Sequence, residues 1–204
     1  MNKYVLLFFL VLINQVCPCQ SNNIAFFPFN GNAGDLSSNG LIGTVTGAVL
    51  TEDRCGHPNS AYYFDGVNDV ITIPDNNVLD IGKQDYSIVA WIKTSSYNWG
   101  RIISKGSSSC QTGYMMRTGS SSASKIHLEN AYQSSCKVYL AGTTTINDDQ
   151  WHCVAGVVKR DSFAQIYIDG VFNTQQTIAT SNFDLTNNNE LLIGANYQNS
   201  IYPE

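Results

Sequence analysis

A polar turn that carries two aromatic residues is the first candidate for ligand binding. Tyr97 and Trp99 lie among serine, asparagine and glycine, Arg101 follows closely, and Tyr132 is a further loop aromatic. Aromatic rings stack on the apolar faces of sugars while nearby polar groups bind the hydroxyls, so these four residues predict a carbohydrate site. The alternative is that Trp99 folds back to cover the end of a sheet.

The two other tryptophans have a different setting. Trp91 and Trp151 lie within apolar segments that are predicted to be strands. We therefore expect both to be core residues that contribute to stability rather than to binding.

Cysteines are the second set of residues with possible chemistry. The chain has six, and Cys17 and Cys19 fall in an N-terminal segment that we expect to be removed. The four that remain are Cys55, Cys110, Cys136 and Cys153. Zinc binding is an alternative use of these thiols, but the remaining chain has no Cys-x-x-Cys pair and the spacings match no zinc module.

An even number of cysteines in an exported chain predicts two disulfides. If residues 113–117 pair antiparallel with residues 125–129, the resulting hairpin brings Cys110 and Cys136 together. Cys55 then pairs with Cys153 by elimination.

Composition and periodicity predict the elements that position these residues. The chain is 43% hydrophobic and 13% charged, with a formal net charge of −5 and no basic run, which argues against nucleic acid as a partner. Apolar residues alternate in short segments and no helical period is sustained, so the chain is predicted to be all-β. The predicted strands are 24–29, 61–64, 70–73, 86–94, 101–104, 113–117, 125–129, 137–141, 151–159, 164–168, 171–177 and 191–195.

Some strands carry further expectations. Asp169-Gly170 between two strand segments predicts a type I′ hairpin turn. Residues 87–92 and 153–158 are apolar on both alternations, so we expect them to be covered on both sides in the middle of a sheet.

The N-terminus has the order of a secretory signal peptide. Lys3 precedes an apolar run over residues 4–13, and small and polar residues follow. We expect residues 1–19 to be a signal peptide, with cleavage between residues 19 and 22, and residues 22–204 to be a secreted, extracellular domain. The run is about half of the roughly 20 residues that cross a bilayer, so no membrane span is expected, a retained anchor being the alternative.

Seven blocks of sequence resemble the laminin-G-like modules of the concanavalin A-like lectin/glucanase jelly rolls, in the same order. They are Ala25–Gly40, Leu50–Asp69, Tyr86–Lys93, Arg101–Gly106, Trp151–Val157, Ile166–Val171 and Leu192–Ala195. The resemblance implies a jelly-roll sandwich of two antiparallel sheets. Cys55 and Cys153 stand where such modules often have large residues, and the chain stops at Glu204 where they continue with a strand, so the module is expected to lack its last strand.

Enzymes on related folds define the catalytic alternatives. Retaining glycosidases need two carboxylates about 5 Å apart, and the motif Glu-x-Asp-x-x-Glu is absent. Polysaccharide lyases of related jelly rolls use a histidine, a tyrosine and a glutamine or arginine, and the nearest approach is His127 with Tyr114 and Arg117 on the neighbouring strand. A structural role for His127 is the alternative.

Calcium is the one metal that the resemblance implies. Asp35 and Asp65 lie in loops of the kind that supply oxygen ligands, although turn formation alone also explains aspartates there. We therefore expect a secreted, disulfide-bonded, non-catalytic recognition module for a glycan or an extracellular protein. A glycan-degrading enzyme and a structural adhesion module without a small ligand are the alternatives, because one fold hosts all three functions.

Overall fold

A computed structural model describes residues 23–106, 112–119, 124–133, 135–178 and 182–195. The expected signal peptide, its cleavage region and the segment after residue 195 lie outside this part of the chain. None of the helical structure within the described ranges is long and apolar enough to cross a membrane.

The described residues form antiparallel strands and a 3₁₀ turn over Asn77–Leu79. The strands are β1 Thr44–Thr46, β2 Val49–Thr51, β3 Ala61–Tyr63, β4 Val70–Ile73, β5 Tyr86–Lys93, β6 Arg101–Lys105, β7 Gly113–Thr118, β8 Ile126–Tyr132, β9 Ser135–Ala141, β10 Trp151–Lys159, β11 Phe163–Ile168, β12 Val171–Thr177 and β13 Leu191–Ile193.

Two sheets make the body of the molecule. The larger has seven strands in the order β1-β4-β13-β6-β7-β8-β9, and the smaller has four in the order β12-β11-β10-β5. β2 and β3 form a separate two-stranded sheet. Met116 and Leu128 of the large sheet share one core cluster with Val154 and Ile166 of the small sheet, so the sheets pack face to face. The expected all-β sandwich is confirmed.

Sequence patterning located most strands to within two residues, with β8 and β9 extending further than expected. The Asp169-Gly170 turn is as expected, since both residues have positive φ, 52° and 77°, as a type I′ turn requires.

The prediction of an N-terminal strand over residues 24–29 is wrong. Phe29 has φ 59°, which ends any extended run, and the segment forms no strand ladder. Phe27 and Phe29 nevertheless pack against the second core cluster, which includes Ile71 and Leu191. The aromatic residues that suggested a strand therefore contribute to the core without joining a sheet.

The expectation that residues 87–92 are covered on both sides is also wrong. β5 is an edge strand of the small sheet, and its outward side chains Val89 and Trp91 are 63% and 46% exposed. Trp91 is thus not a core residue, whereas Trp151 is partly buried. Apolar residues on both alternations resembled a central strand, but the outer face of this sheet is open.

Lys105 is fully buried at the end of β6 and joins two distant loops to that strand. Its ammonium group donates hydrogen bonds to Asp75 (2.7 Å) and to the carbonyls of Asn187 (2.7 Å) and Asn189 (2.9 Å). Asp80 lies 3.2 Å away as a second anion. A buried charge is tolerated only when it is paired and hydrogen-bonded in this way.

Replacing Lys105 with methionine should lower the free energy of unfolding by about 3 kcal/mol, because two carboxylates and two carbonyls lose their donor. Lys93→Met is the matched control, since Lys93 lies 3.7 Å from Asp149 on the surface and should cost less than about 1 kcal/mol. Urea unfolding of both variants measures the difference. Equal losses would show that the buried position of Lys105 is unimportant.

Candidate functional site

Three polar side chains project from the outer face of the large sheet. Successive side chains of a strand point to opposite faces, and Met116 and Leu128 point into the core. Their chain neighbours Arg117, His127 and Glu129 therefore point outward. The register places Arg117 of β7 directly opposite His127 of β8.

Arg117 organises this cluster. Its Nε donates to Oε1 of Glu129 at 2.5 Å, and its guanidinium also donates to the hydroxyl of Tyr139 at 3.2 Å. Tyr139 lies on β9 directly opposite Glu129. The Arg117 and Glu129 side chains are only 3% and 12% exposed, so removing either would leave the other charge poorly solvated.

Trp99 covers the cluster from the solvent side. Its ring lies 3.9 Å from the guanidinium carbon of Arg117, which is cation–π stacking, and 5.9 Å from the ring of His127. Tyr139 contacts the other side of His127, with ring centroids 5.8 Å apart. The indole remains 40% exposed, so Trp99 is both a cover for the sheet and part of its surface.

Backbone hydrogen bonds hold the loop of Trp99 against β7. The amide of Thr118 donates to the carbonyl of Gly100 at 2.8 Å, and the amide of Gly100 donates to the Thr118 hydroxyl at 3.0 Å. Gly119 has φ 124°, and a Cβ there would lie 2.9 Å from the Cα of Trp99. Glycine is therefore required where the loop crosses the strand.

His127 is buried and kept neutral. Burial, aided by the positive charge of Arg117, lowers the pKa of His127 to about 4, although the backbone of Gly119 opposes the shift. Neither ring nitrogen forms a hydrogen bond of good geometry. At neutral pH the imidazole is an uncharged ring between Trp99 and Tyr139.

The residues predicted to bind sugar are only partly brought together. Tyr97, in the same loop as Trp99, is 64% exposed. Arg101 lies directly opposite Arg117 on β6 and is half-buried. Tyr132 is at the far end of β8, where its ring packs against Phe183 at 6.3 Å, so the structure does not bring it to the other three residues and its role stays a prediction.

The lyase-like triad is also rearranged. Arg117 does lie beside His127, but Tyr114 points away from it and its hydroxyl donates to the carbonyl of Leu79 at 3.0 Å. Tyr139 occupies the position beside His127 instead, which sequence reasoning missed. The alternation of β9 could have placed Tyr139 on the outer face, because Val138 and Leu140 are buried, but only the register with β8 brings it beside His127.

A family model decides the relationship of this chain to known proteins. The model for the concanavalin A-like lectin/glucanase superfamily of the Laminin_G_3 type matches residues 65–203, more than half of the chain. The chain belongs to this superfamily. No curated protein sequence matches it.

Solved structures similar to this Laminin_G_3 domain include toxin and laminin domains. Three of them are the binding domain of Paraclostridial Mosquitocidal Protein 1 (TM-score 0.60, 15% identity, 84% of this chain and 44% of that chain), botulinum neurotoxin type C, whose cell entry depends on interaction with two ganglioside molecules (0.61, 14%, 86% and 43%), and domains LG4-5 of the mouse laminin alpha1 chain (0.53, 14%, 75% and 40%). The present chain thus spans less than half of each. At such identities the similarity establishes the fold.

The two aspartates proposed as calcium ligands have other partners. The carboxylate of Asp35 accepts from the amides of Phe26, Ser37 and Leu41. Burial raises the pKa of Asp35, but these bonds and that of the Ser37 hydroxyl outweigh it and the net pKa is lowered. Asp65 accepts from the amide of Val67 at 2.8 Å. Both carboxylates stabilise turns, which is the alternative reading of these residues.

The structure gives different results for the two predicted disulfides of this Laminin_G_3 domain. Cys136 is disulfide-bonded, and its predicted partner Cys110 lies outside the described residues, so that pairing stays a prediction. Cys55 and Cys153 are free thiols, so the bridge expected between them is not formed in the structure. Arg54, the neighbour of Cys55, stacks its guanidinium on Trp91, and Trp91 faces Cys153 across the β5–β10 ladder.

His127 should titrate near pH 4 in the folded chain and near pH 6.5 in the unfolded chain. The unfolded state then binds more protons between these values, so protein with His127 should lose stability as the pH falls from about 6.5 to about 4, relative to His127→Gln. NMR titration of the imidazole measures the pKa directly. His152 is the control: burial opposes the shift, but its hydrogen bonds with Asp169 and Asp148 raise its pKa. A His127 pKa above 6 would contradict the prediction.

Proposed function

We propose that this domain is a secreted, non-catalytic module that binds glycans through the outer face of its large sheet. The observation that carries the proposal is the set of exposed rings around the Arg117 cluster. Trp99 and Tyr139 are 40% and 51% exposed and both contact His127, and Tyr97, in the same loop as Trp99, is 64% exposed. Rings that face solvent beside polar groups suit the two faces of a sugar.

The anchoring of Trp99 supports a binding role. Stacking on Arg117 and the loop's hydrogen bonds to Thr118 fix the indole before any ligand arrives. Binding of a ligand would therefore cost little conformational entropy for ordering this ring. Glu129, which is held by Arg117, keeps the guanidinium in place beneath the ring.

The charges of the cluster argue against hydrolysis. A retaining glycosidase needs one carboxylate as acid and a second as nucleophile. Among the described residues, Glu129 is the only carboxylate that contacts Arg117, and it is committed to an ion pair with that arginine. His127 at neutral pH lacks the proton of a general acid. A retaining glycosidase is thus the less supported function.

The outer face of the small sheet favours a second candidate function, which is binding to an extracellular protein. Trp91 is 46% exposed there, and Val89 and Phe172 are also exposed. Arg54 stacks on the indole at 4.5 Å. An aromatic residue beside an arginine is typical of the centre of a protein interface.

Trp99→Ala should weaken glycan binding at least tenfold, because it removes the stacking surface. The assay is a glycan array that includes ganglioside glycans, followed by titration of the glycan that binds best. Trp91→Ala is the matched control, since that tryptophan is about as exposed but lies on the other sheet, and it should leave affinity unchanged. Equal effects of both substitutions would refute the proposed face, and release of reducing sugar by the native domain would favour the enzyme.

Export of the protein is a separate prediction. We expect secreted material to begin between residues 20 and 22, because the apolar run over residues 4–13 is short and has a polar flank. N-terminal sequencing of protein from the medium measures this. Intact Met1 in that material would contradict it.

A further inference from the structure

The turn between β2 and β3 is closed by its own backbone. The amide of Asp53 donates to the carbonyl of His57 at 3.1 Å, and the amide of Gly56 donates to the carbonyl of Asp53 at 3.1 Å. The carboxylate of Asp53 accepts from the amides of Cys55 at 2.8 Å and His57 at 2.9 Å. Gly56 has φ 79°, which lets the chain reverse within five residues.

This closure brings three different donor groups together at the surface. A carboxylate oxygen of Asp53, the thiol of Cys55 and a ring nitrogen of His57 all lie within 4.8 Å of one another. His57 Nδ1 is 3.0 Å from Asp53 Oδ2. Cys55 is exposed and the His57 side chain is 71% exposed, so an ion can reach these atoms from solvent.

We propose that Asp53, Cys55 and His57 form a zinc site. A thiolate and an imidazole suit a borderline-soft cation such as Zn²⁺, while calcium and magnesium prefer oxygen ligands alone. Three protein ligands leave one position of a tetrahedral site open to water. The site is separate from the Arg117 cluster and independent of glycan binding.

The protonation of the ligands is compatible with binding. Hydrogen bonds from the side chain and the amide of His57 lower the pKa of Asp53 to about 2, so this carboxylate is ionised at neutral pH. Cysteine spacing could not reveal the site, because it contains a single cysteine whose partners belong to other residue types.

Cys153 is the group that could compete for Cys55. Arg54 stacks on Trp91, which faces Cys153 across the β5–β10 ladder, so the turn lies above this part of the small sheet. A disulfide between the two cysteines would remove the zinc-binding thiolate. The test therefore starts from the full chain with Cys153→Ser, in which that bridge is impossible.

Cobalt(II) is the spectroscopic probe, because a cysteine thiolate bound to it gives a charge-transfer band and four-coordination gives intense visible bands. The Cys153→Ser protein should bind one cobalt ion with both signatures, and zinc should displace it. Adding Cys55→Ser should abolish the charge-transfer band. Adding His57→Asn or Asp53→Asn should weaken zinc affinity more than about tenfold.

His152→Asn on the same background is the matched control. His152 also lies between two carboxylates, Asp148 and Asp169, but it is not one of the three proposed ligands. It should leave cobalt and zinc binding unchanged. Thermal unfolding without metal, measured for every variant, identifies any loss of folding. Absence of a thiolate band in folded Cys153→Ser protein, or a band that survives Cys55→Ser, would overturn the zinc site.

Discussion

The buried ammonium of Lys105 is the interaction on which the large sheet depends. It lies at the end of β6, a central strand, and its partners come from the loop after β4 and the loop before β13. These are the strands on one side of β6, and Tyr114 of β7, on the other side, donates to Leu79 in the same loop that supplies Asp80. A charge this deeply buried requires all its partners at once, so it fixes both loops relative to one another.

The Arg117 cluster contains a second poorly solvated cation that its partners stabilise, here on the outer face of the large sheet. Its guanidinium is paired with Glu129 and covered by Trp99, so an anion balances its charge and the indole shields it from water. That environment also explains the neutral His127, because a buried imidazole beside a cation is costly to protonate. The rings that face solvent are thus supported from beneath by an ion pair rather than by an apolar core.

Sequence reasoning located the strands well because alternation and the Asp169-Gly170 turn are local signals. It missed β1 and β2, in which no residue is buried, so neither strand carries a buried apolar face. β3 and β13 are equally short but have buried residues, and they were located. It placed Trp99 and Arg101 near the site but not Tyr139, because that requires the register between β8 and β9. Trp91 was wrongly predicted to be a core residue, because the sequence of a single strand does not show whether a face of its sheet is covered. The separation of Tyr132 from the other three residues could not be predicted for a related reason, because its neighbour Phe183 is distant in sequence.

The position of β13 has a consequence for synthesis of the chain. This strand lies between β4 and β6, which are translated about 90 or more residues earlier. Until it emerges from the ribosome, β4 and β6 each present an unpaired edge, and Lys105 lacks two of its carbonyl acceptors. The hairpins of β7, β8 and β9 can form earlier from contacts close in sequence. A nascent chain must therefore keep the two parts of its large sheet from pairing with other chains until its final described strand joins them.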